Sequence, residues 1–499
     1  MLKKCLALLG LIIAFGCYFP MQTRANIHDS IPVKENVGAL KMPDTIAAVT
    51  APFSMPIFVK PSFGVFTIDI SKKGAKPGTA VTKIIQLAID EVNKKGGGTV
   101  LVPKGVWNTG RIILKSNVNL CIAEGAELYF SGEIKDYLPV VFTRSAGVEC
   151  MSLGAMIYAN GQRNIAVTGK GKLIAPAESQ VRKQQIGYGS PATFENSAGL
   201  TKPVAERIYD GANGGPILSP TFIGPVNCTD VYIEGVTLER SVFWNIVPTY
   251  CDGVIIRGVT VNSVGTGSSD GIDIESTRNV LIEYCTLNNG DDCFTIKAGR
   301  GFDGLRVNKP TENIVIRNCL TKEGVGAVAL GSETAGMIRN VYACDCVFDG
   351  TDIGISIKTR RPRGGGGEDI YCERMRMNVK QAAVKVDMLG SSQYVGALAS
   401  RANAVVNELT PSYKNINVKN IIVEQAPQFL KIAGLPESPL KNLVIENVVA
   451  KTKKLIDISD AENVTLKNVQ VTCDDGANQI VNSKGIYFEK TNFNVIGAN

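Results

Sequence analysis

The chain of 499 residues contains 51 glycines and only 7% aromatic residues, a composition typical of many short strands joined by tight turns. Its single histidine, His28, excludes a Ser-His-Asp or Cys-His catalytic group and a histidine-ligated zinc site in the main body of the chain. The net charge of +7 is compatible with an acidic substrate, and the absence of a basic run with interleaved aromatic residues argues against nucleic acid as a partner.

Residues 1–25 have the pattern of a secretory signal peptide. Two lysines precede an apolar run over 6–15, which is too short to span a membrane. Cleavage after Ala25 is one way of processing this segment, and a lipid anchor at Cys17 is another. We therefore expect an exported monomer that is periplasmic, attached to the cell surface or extracellular, without a membrane span.

The next segment, residues 26–62, contains several prolines and no clear period, which indicates an extension or linker ahead of a single catalytic domain at 63–499. A strand is predicted at 66–70 and an amphipathic helix at 79–95. The helix has one apolar face, formed by Ile84, Ile85, Ala88, Ile89 and Val92. A helix at this place would cap the open end of a β-solenoid and cover the unpaired edge of its first rung.

The main body repeats one pattern, in which Asn or Asp precedes the apolar start of a strand. From Val231 to Val464 these starts recur at steps of 21 to 46 residues, and a period of roughly 20–30 residues is typical of solenoids. The pattern predicts an all-β fold, a single-stranded right-handed parallel β-helix with the short N-terminal α-helix as its cap. Asn side chains at such corners can stack and hydrogen-bond along the axis. Inserted loops are predicted near 178–216, 299–310 and 393–411, where they would build a binding face.

Cysteine usage does not indicate a disulfide framework. Eleven cysteines follow the signal segment, an odd number in scattered positions, and most lie inside predicted strands. We expect them to be small buried hydrophobes stacked inside the coil, with one or two disulfides allowed. No CxxC spacing supports a metal site.

Four acidic residues are concentrated in the stretch 268–299: Asp270, Asp273, Asp291 and Asp292. Asp270 and Asp291 are 21 residues apart, which is about the length of one coil. Residues one coil apart stack at about 4.8 Å, so three carboxylates can converge at one surface spot. Crowding raises the pKa of at least one carboxyl group and leaves it protonated near neutral pH. A protonated acid that faces an ionised carboxylate is suited to cleaving a glycosidic bond.

The chain resembles glycoside hydrolase family 28, the polygalacturonases and related pectinases, over about residues 64–475. Four motifs in order carry the resemblance: Ser269-Asp270-Gly271-Ile272-Asp273, Gly290-Asp291-Asp292-Cys293, Gly331-Ser332-Glu333 and Ile357-Lys358. The resemblance implies that Asp291 is the general acid and that Asp270 and Asp292 activate the attacking water. It also implies an inverting reaction, for which the acid and base carboxyl groups are expected to stand about 6.5–9.5 Å apart.

The resemblance further implies that Lys358 binds the carboxylate of a galacturonosyl unit. Glu333, Arg360 and Asp273 are the other candidate substrate-binding residues, and no metal or cofactor is expected.

Two positions depart from the family pattern. The family has Gly-His-Gly where this chain has Gly324-Val325-Gly326, and it has an arginine where this chain has Ser356. Both missing side chains line galacturonate-binding subsites in the family, and neither is the acid or the base. Replacement of the arginine by a residue from the adjacent loop is one hypothesis, for which the candidates are Arg360, Arg361 and Arg363. A neutral sugar at one subsite, as in rhamnogalacturonan, explains the losses equally well.

The leading hypothesis is therefore a secreted inverting glycoside hydrolase that cleaves pectic polysaccharide next to galacturonic acid. Inserted loops that close one end of the cleft would make it exo-acting. A calcium-dependent pectate lyase is an alternative, although no basic residue is clearly placed to abstract a proton. A non-catalytic β-helix that binds polysaccharide is another, with Val325 and Ser356 as signs of a decayed site.

Overall fold

The computed structural model of the protein describes residues 30–177, 180–183 and 202–496. The predicted signal peptide at 1–25, with Cys17, and part of the predicted insertion at 178–216 lie outside the described residues. Within the described ranges, no helix combines the length and the apolar character that a bilayer crossing requires.

The strands form a parallel β-helix, which confirms the predicted fold class. Successive coils stack so that their strands make three parallel sheets. Sheet 1 begins with Thr67–Asp69, Gly98–Val102, Val118–Ile122, Arg163–Gly169, Thr229–Glu234, Asp252–Arg257, Arg278–Glu283 and Thr311–Arg317. Sheet 2 begins with Gly105–Thr109, Ala126–Phe130, Lys172–Ile174, Thr237–Glu239, Thr260–Ser263, Thr286–Asn289 and Leu320–Thr321.

Sheet 3 carries the inserted loops at its edges. Its strands are Ile112–Ile113, Ala155–Asn160, Thr221–Val226, Ile272–Glu275, Phe294–Lys297, Gly326–Leu330, Ile353–Lys358 and Ala382–Asp387. Later strands run around the corners and join more than one sheet: Ile338–Asp349, Gly366–Asn378, Ser412–Ala433, Leu440–Ser459 and Ala461–Val481. The strands that end sheets 1 and 2 are Lys484–Glu489 and Asn492–Val495.

Short elements decorate the coil. An antiparallel hairpin joins Val141–Ser145 to Val148–Ser152. Among the residues described, the helices other than the cap are Gln180–Lys183, Gly301–Val307 and Ser392–Val395. The 3-10 turns are Lys34–Asn36, Ala39–Lys41, Ile70–Lys73, Ile134–Tyr137, Val204–Glu206, Ala212–Gly214 and Gly396–Ala399. The helices at 301–307 and 392–395 lie in two of the three predicted insertions.

Helix α1 (Thr82–Lys94) closes the N-terminal end of the coil, at the predicted place. Its buried residues, Ile85, Ala88, Ile89 and Val92, follow the three- and four-residue spacing of one helical face and join the main core. The helix contacts strands of the first two coils. It therefore supplies apolar cover for a rung that has no preceding coil.

Side chains of sheet 3 alternate between the core and the outside. Ile272 and Ile274 point into the core, and so do their partners on the next rung, Phe294 and Ile296. The residues between them point outward and align from rung to rung. One such outer column contains Asp273, Thr295, Ala329, Ser356 and Lys385.

Asparagine occupies the corners that start the strands of sheet 1. Asn279, Asn313 and Asn340 have φ of 57°, 59° and 54°, in the left-handed region that Asn tolerates better than most residues. The Asn313 amide donates to Asn279 Oδ1 at 3.2 Å and accepts from the Asn340 amide at 3.0 Å. This ladder confirms the predicted stacking and explains why the repeat begins with Asn or Asp.

The predicted extension is attached to the coil from residue 30 onward. Its apolar residues Ile46, Val49, Phe53 and Phe58 pack against the outer face of sheet 1. Arg317 of that sheet donates to the Ala47 carbonyl at 2.8 Å. The extension is therefore not a free linker, because it covers apolar side chains that sheet 1 leaves on its outer face.

The eleven cysteines in the described ranges are all free thiols, and ten of them are buried. This confirms the expectation of stacked interior residues, for example Cys285 and Cys319 on neighbouring rungs. The one or two disulfides that the sequence allowed do not form among these eleven residues.

Replacing the ladder residue Asn313 by Ala should destabilise the coil. The change removes two side-chain hydrogen bonds and puts a residue with a poor left-handed propensity at φ 59°, and we expect a loss of about 2–4 kcal/mol. Asn313→Gly is the matched control, because it loses the same bonds without the Cβ strain and should recover about 1 kcal/mol. Urea unfolding measures both, and an unchanged midpoint for Asn313→Ala would contradict the ladder.

Candidate active site

A cleft of about 540 Å³ lies over the outer face of sheet 3. Its floor is made by the strand starts and strand ends of this sheet. Its walls come from the turn of the antiparallel hairpin at Ala146, from Phe243 and Trp244, from Arg300, and from Gly390 and Ser391 at the start of an insertion. The inserted segments therefore surround the place where the acidic residues meet.

The register of sheet 3 brings the three predicted catalytic residues together. Ile272 pairs with Phe294, so Asp270 and Asp292, each two residues earlier, occupy equivalent places on neighbouring rungs. Asp291 stands one residue before Asp292, and its Oδ1 accepts the Asp292 backbone N–H at 2.9 Å. One oxygen from each of the three carboxyl groups lies within 4.8 Å of the other two.

This cluster is tighter than the sequence analysis expected. The sequence analysis predicted a separation of about 6.5–9.5 Å between the acid and base carboxyl groups. The nearest oxygens of these groups are closer than that, because they lie within 4.8 Å of one another. The physical reason is that residues on adjacent rungs, or adjacent in sequence, are held at the rung spacing. Two oxygens at such a distance can still accept hydrogen bonds from one water, because each bond spans about 2.7–2.8 Å.

Lys297, which the sequence analysis missed, lies beneath the cluster. Its Nζ is 2.9 Å from Asp270 Oδ2 and 2.8 Å from Asp273 Oδ1, and its side chain is only 4% exposed. Nζ also stands 3.4 Å from the centroid of the Trp244 ring, a cation–π contact. A buried ammonium group thus neutralises part of the negative charge. The available signal was the repeated Ile-Lys at strand ends, since Ile296-Lys297 precedes Ile357-Lys358 in the same sheet.

Lys358 contacts the cluster from the other side. Its Nζ forms an ion pair with Asp292 Oδ2, while Asp292 Oδ1 accepts the Gly326 N–H at 2.9 Å. An ammonium and an amide therefore both stabilise the negative charge of Asp292. Burial opposes the charge on Lys358, but Asp292 and Asp291 raise the pKa of this lysine.

Asp291 is the half-exposed member of the three, and Asp270 and Asp292 are buried. Burial, together with the negative charges of Asp270 and Asp292, raises the pKa of Asp291 to about 7, against the opposing charge of Lys358. Burial and the charge of Asp273 also raise the pKa of Asp270, against Lys297. Asp291 is therefore partly protonated near neutral pH, and it is the member of the three that the cleft exposes most.

Two of the four candidate substrate-binding residues join Lys358 in the cleft wall. Glu333 and Arg360 both line the cleft, and Arg360 donates to Ser332 Oγ at 3.0 Å. Burial alone would raise the pKa of Glu333, but the charges of Lys297 and Arg300 outweigh it and lower this pKa.

The prediction that Asp273 binds substrate is wrong. Its side chain is 0% exposed and lies under the cleft, with Lys297 above it. Burial raises the pKa of Asp273 to about 7, against the opposing charge of Lys297. Asp273 lies between the core residues Ile272 and Ile274 on the strand, so its side chain points to the outer face of the sheet. Other side chains cover it there completely.

The arginines after Lys358 point in different directions. Arg360 and Arg363 line the cleft. Arg361 instead pairs with Glu437 at 2.5 and 2.6 Å and donates to the carbonyls of Leu398 and Ser400 at 2.7 Å. Arg361 therefore anchors the insertion and does not replace a substrate-binding arginine.

The three aspartates are the one group of carboxylates, among the residues described, that is close enough to share a cation. Two ammonium groups already contact this group, Lys297 at Asp270 and Lys358 at Asp292. Calcium requires about 6–8 oxygen ligands, and the two lysines supply positive charge where further oxygen ligands would be needed. The arrangement favours acid–base chemistry over calcium-dependent chemistry.

Comparison with known proteins agrees with this geometry. Residues 212–395 match the family described as glycosyl hydrolases family 28. A probable polygalacturonase of Vitis vinifera is 29% identical over 76% of this chain and 73% of its own length. An exo-poly-alpha-D-galacturonosidase of Dickeya chrysanthemi is 26% identical over 81% of this chain and 71% of its own length.

A solved structure agrees as well. The hyperthermoactive exopolygalacturonase from Thermotoga maritima superimposes with a TM-score of 0.74 at 28% identity, and the match covers 83% of this chain and 93% of that one. A carboxylate cluster on a parallel β-helix, together with these matches, defines a glycoside hydrolase. These matches support glycoside hydrolase family 28 for this chain.

Replacing Lys297 by Met should make stability depend on pH. Without the cation, the pKa values of Asp270 and Asp273 rise further, so the native state keeps protons that the unfolded chain releases above about pH 4. The penalty is therefore small near pH 4 and grows as the pH rises through 7, reaching about 3–5 kcal/mol. Chemical denaturation at pH 5 and pH 8 measures the difference.

The matched control is Lys414→Met, because Lys414 pairs with Glu368 at 2.9 Å with a side chain that is 50% exposed. That variant should change stability by less than about 0.5 kcal/mol at either pH. An equal loss at pH 5 and pH 8 in Lys297→Met would contradict the assigned charge balance.

Proposed function

We propose that the protein is exported and hydrolyses pectic polysaccharide next to galacturonic acid, with inversion at the anomeric carbon. Asp291 acts as the general acid, and Asp270 and Asp292 activate the attacking water. The single observation that supports this most strongly is the half-exposed Asp291. One of its carboxyl oxygens lies within 4.8 Å of an oxygen of each of two buried carboxyl groups, and its pKa is raised to about 7.

The proposed reaction uses each carboxyl group once. Asp291 donates its proton to the glycosidic oxygen as the bond to the anomeric carbon breaks. A water held by Asp270 and Asp292 attacks the opposite face of that carbon and gives up a proton to one of them. The positive charge that develops on the sugar ring is stabilised by the nearby carboxylates. After the products leave, the proton returns to Asp291 and the cluster regains its starting charge.

The charge of the cleft supports an acidic substrate. Outside the three aspartates and Lys297, five basic residues line it, Lys358, Arg360, Arg363, Lys385 and Arg300, against two acidic ones, Glu333 and Asp387. Basic groups around a cleft raise the local concentration of anions and orient carboxylates. The relatives from Vitis vinifera and Dickeya chrysanthemi carry names that refer to galacturonan, which supports galacturonan as the substrate here.

We further propose that cleavage takes place from a chain end. Gly390 and Ser391 form a wall at the C-terminal side of the cleft. The insertion that follows is held against the coil by Arg361, which donates to the Leu398 and Ser400 carbonyls at 2.7 Å, and by Arg401 on Asp460 at 2.5 Å. A fixed wall limits how far a polymer can extend across the site. The relatives from Dickeya chrysanthemi and Thermotoga maritima are both named as exo-acting enzymes.

A second candidate substrate is rhamnogalacturonan. Val325 lines the cleft where the family pattern has a histidine, and its backbone N–H donates to the Asp291 carbonyl at 2.9 Å. An apolar side chain next to the acid suits a neutral sugar better than a uronic acid at that subsite. Hydrolysis of defined rhamnogalacturonan oligomers, compared with homogalacturonan oligomers, distinguishes the two substrates.

Asp291→Asn should abolish hydrolysis without unfolding the protein. An amide cannot donate a proton to the leaving oxygen, so the release of reducing ends from galacturonan should fall by roughly 10²–10⁴-fold. Asp457→Asn is the matched control, since Asp457 lies on a later rung of the same sheet with a side chain that is 36% exposed. Activity within tenfold of wild type in Asp291→Asn would remove this residue from the mechanism.

The product profile on a long galacturonan should show end-wise cleavage. The expected early products are one short sugar species and a polymer that shortens slowly, because the wall at Gly390 and Ser391 limits entry. Size-resolved chromatography of early time points measures this. Arg361→Gln, which removes the anchor on Glu437, should add fragments of intermediate length. Abundant intermediate fragments from the wild-type protein would rule out exo action.

A further inference from the structure

The outer column of sheet 3 contains an unusual change of residue size. On its three C-terminal rungs described above it reads Ala329, Ser356 and Lys385. Ala329 and Ser356 are short and buried, and neither lines the cleft. Lys385 stands one rung beyond Ser356, and its side chain lines the cleft.

Lys385 differs from the other cleft lysines in its contacts. Lys297 and Lys358 each pair with a carboxylate of the catalytic cluster. Within the part of the chain that the structure describes, no hydrogen bond or ion pair is found for Lys385, although it is half-buried. Burying much of a long charged side chain costs free energy unless an anion offsets the cost.

Among the described residues, no carboxylate pairs with Lys385. The nearest acidic residue on the strand is Asp387, two positions on, which also lines the cleft. Its Oδ1 accepts the Gly390 N–H at 2.9 Å. Arg360, beside Gly390, adds a second positive charge to this end of the cleft.

We propose that Lys385 binds the carboxylate of a uronic acid unit in the C-terminal part of the cleft. This inference rests on the proposed function and refines it. Lys385 stands one rung beyond Lys358 and two residues back along its strand. The catalytic aspartates, Lys358 and Lys385 line one cleft of about 540 Å³, which has room for a sugar ring between the cluster and this ammonium group. The cation that Ser356 does not provide is supplied from the next rung.

Binding is tested in the inactive Asp291→Asn protein, with trigalacturonate as the probe and calorimetry as the measurement. Lys385→Gln added to that background should weaken Kd roughly tenfold, the value of a charge-assisted hydrogen bond. Lys385→Arg should bind within about twofold of the parent, because it keeps the charge. The tenfold effect of Lys385→Gln should shrink at high salt, where an ionic contact is screened.

Lys431→Gln is the matched control. Lys431 is the next residue of the same outer column, it pairs with Asp457 at 3.6 Å, and its 48% exposed side chain lies outside the cleft. An unchanged Kd in Lys385→Gln, or a loss that Lys431→Gln shares, overturns the inference. If wild-type protein still releases reducing ends from galacturonan, the proposed function survives that result. If trigalacturonate does not bind and wild type releases nothing, the proposed function and this inference both fail.

Discussion

Three carboxyl groups share one spot because two ammonium groups, one of them buried, compensate them unequally. Lys297 contacts Asp270 and Asp273, and Lys358 contacts Asp292. No ammonium contacts Asp291 in the part of the chain that the structure describes. This difference supports the proposed division of roles, in which Asp291 is the acid and an aspartate paired with a cation activates the water. Lys297 joins neighbouring rungs, and Lys358 reaches Asp292 across the rung of Gly326–Leu330, so the site and the stacking of the coil depend on one set of contacts.

Much of the fold was predictable because the coil repeats its backbone. A corner in the left-handed region needs Asn, Asp or Gly, and that requirement appears in the sequence as a recurring Asn or Asp before an apolar strand. The approximate period was enough to bring the three aspartates together. The period was not enough to give the register. Ile272 pairs with a residue 22 positions later, whereas Asp270 and Asp291 are 21 residues apart. This difference of one residue decides which aspartate is half-exposed.

The rest of the site could not be predicted, because it depends on which side chains are covered by others and which reach the cleft. Asp273 and Asp270 lie in the same motif, but the next layer of side chains covers the first of them completely. Arg360 and Arg361 are neighbours in an irregular turn, and one lines the cleft while the other anchors a loop. Lys297 and Lys385 are single lysines in apolar strands. Their roles emerge only when the columns formed by successive rungs are known.

The free cysteines have a consequence for how this coil can assemble. Ten buried thiols and no disulfide among the eleven described cysteines mean that no covalent cross-link between them holds the rungs together. Folding of the described coils therefore needs no oxidant, and it can proceed in a reducing as well as an oxidising compartment. Because the thiols are shielded by neighbouring rungs, alkylating reagents would reach most of them only after rungs separate, so their modification would report the opening of individual coils.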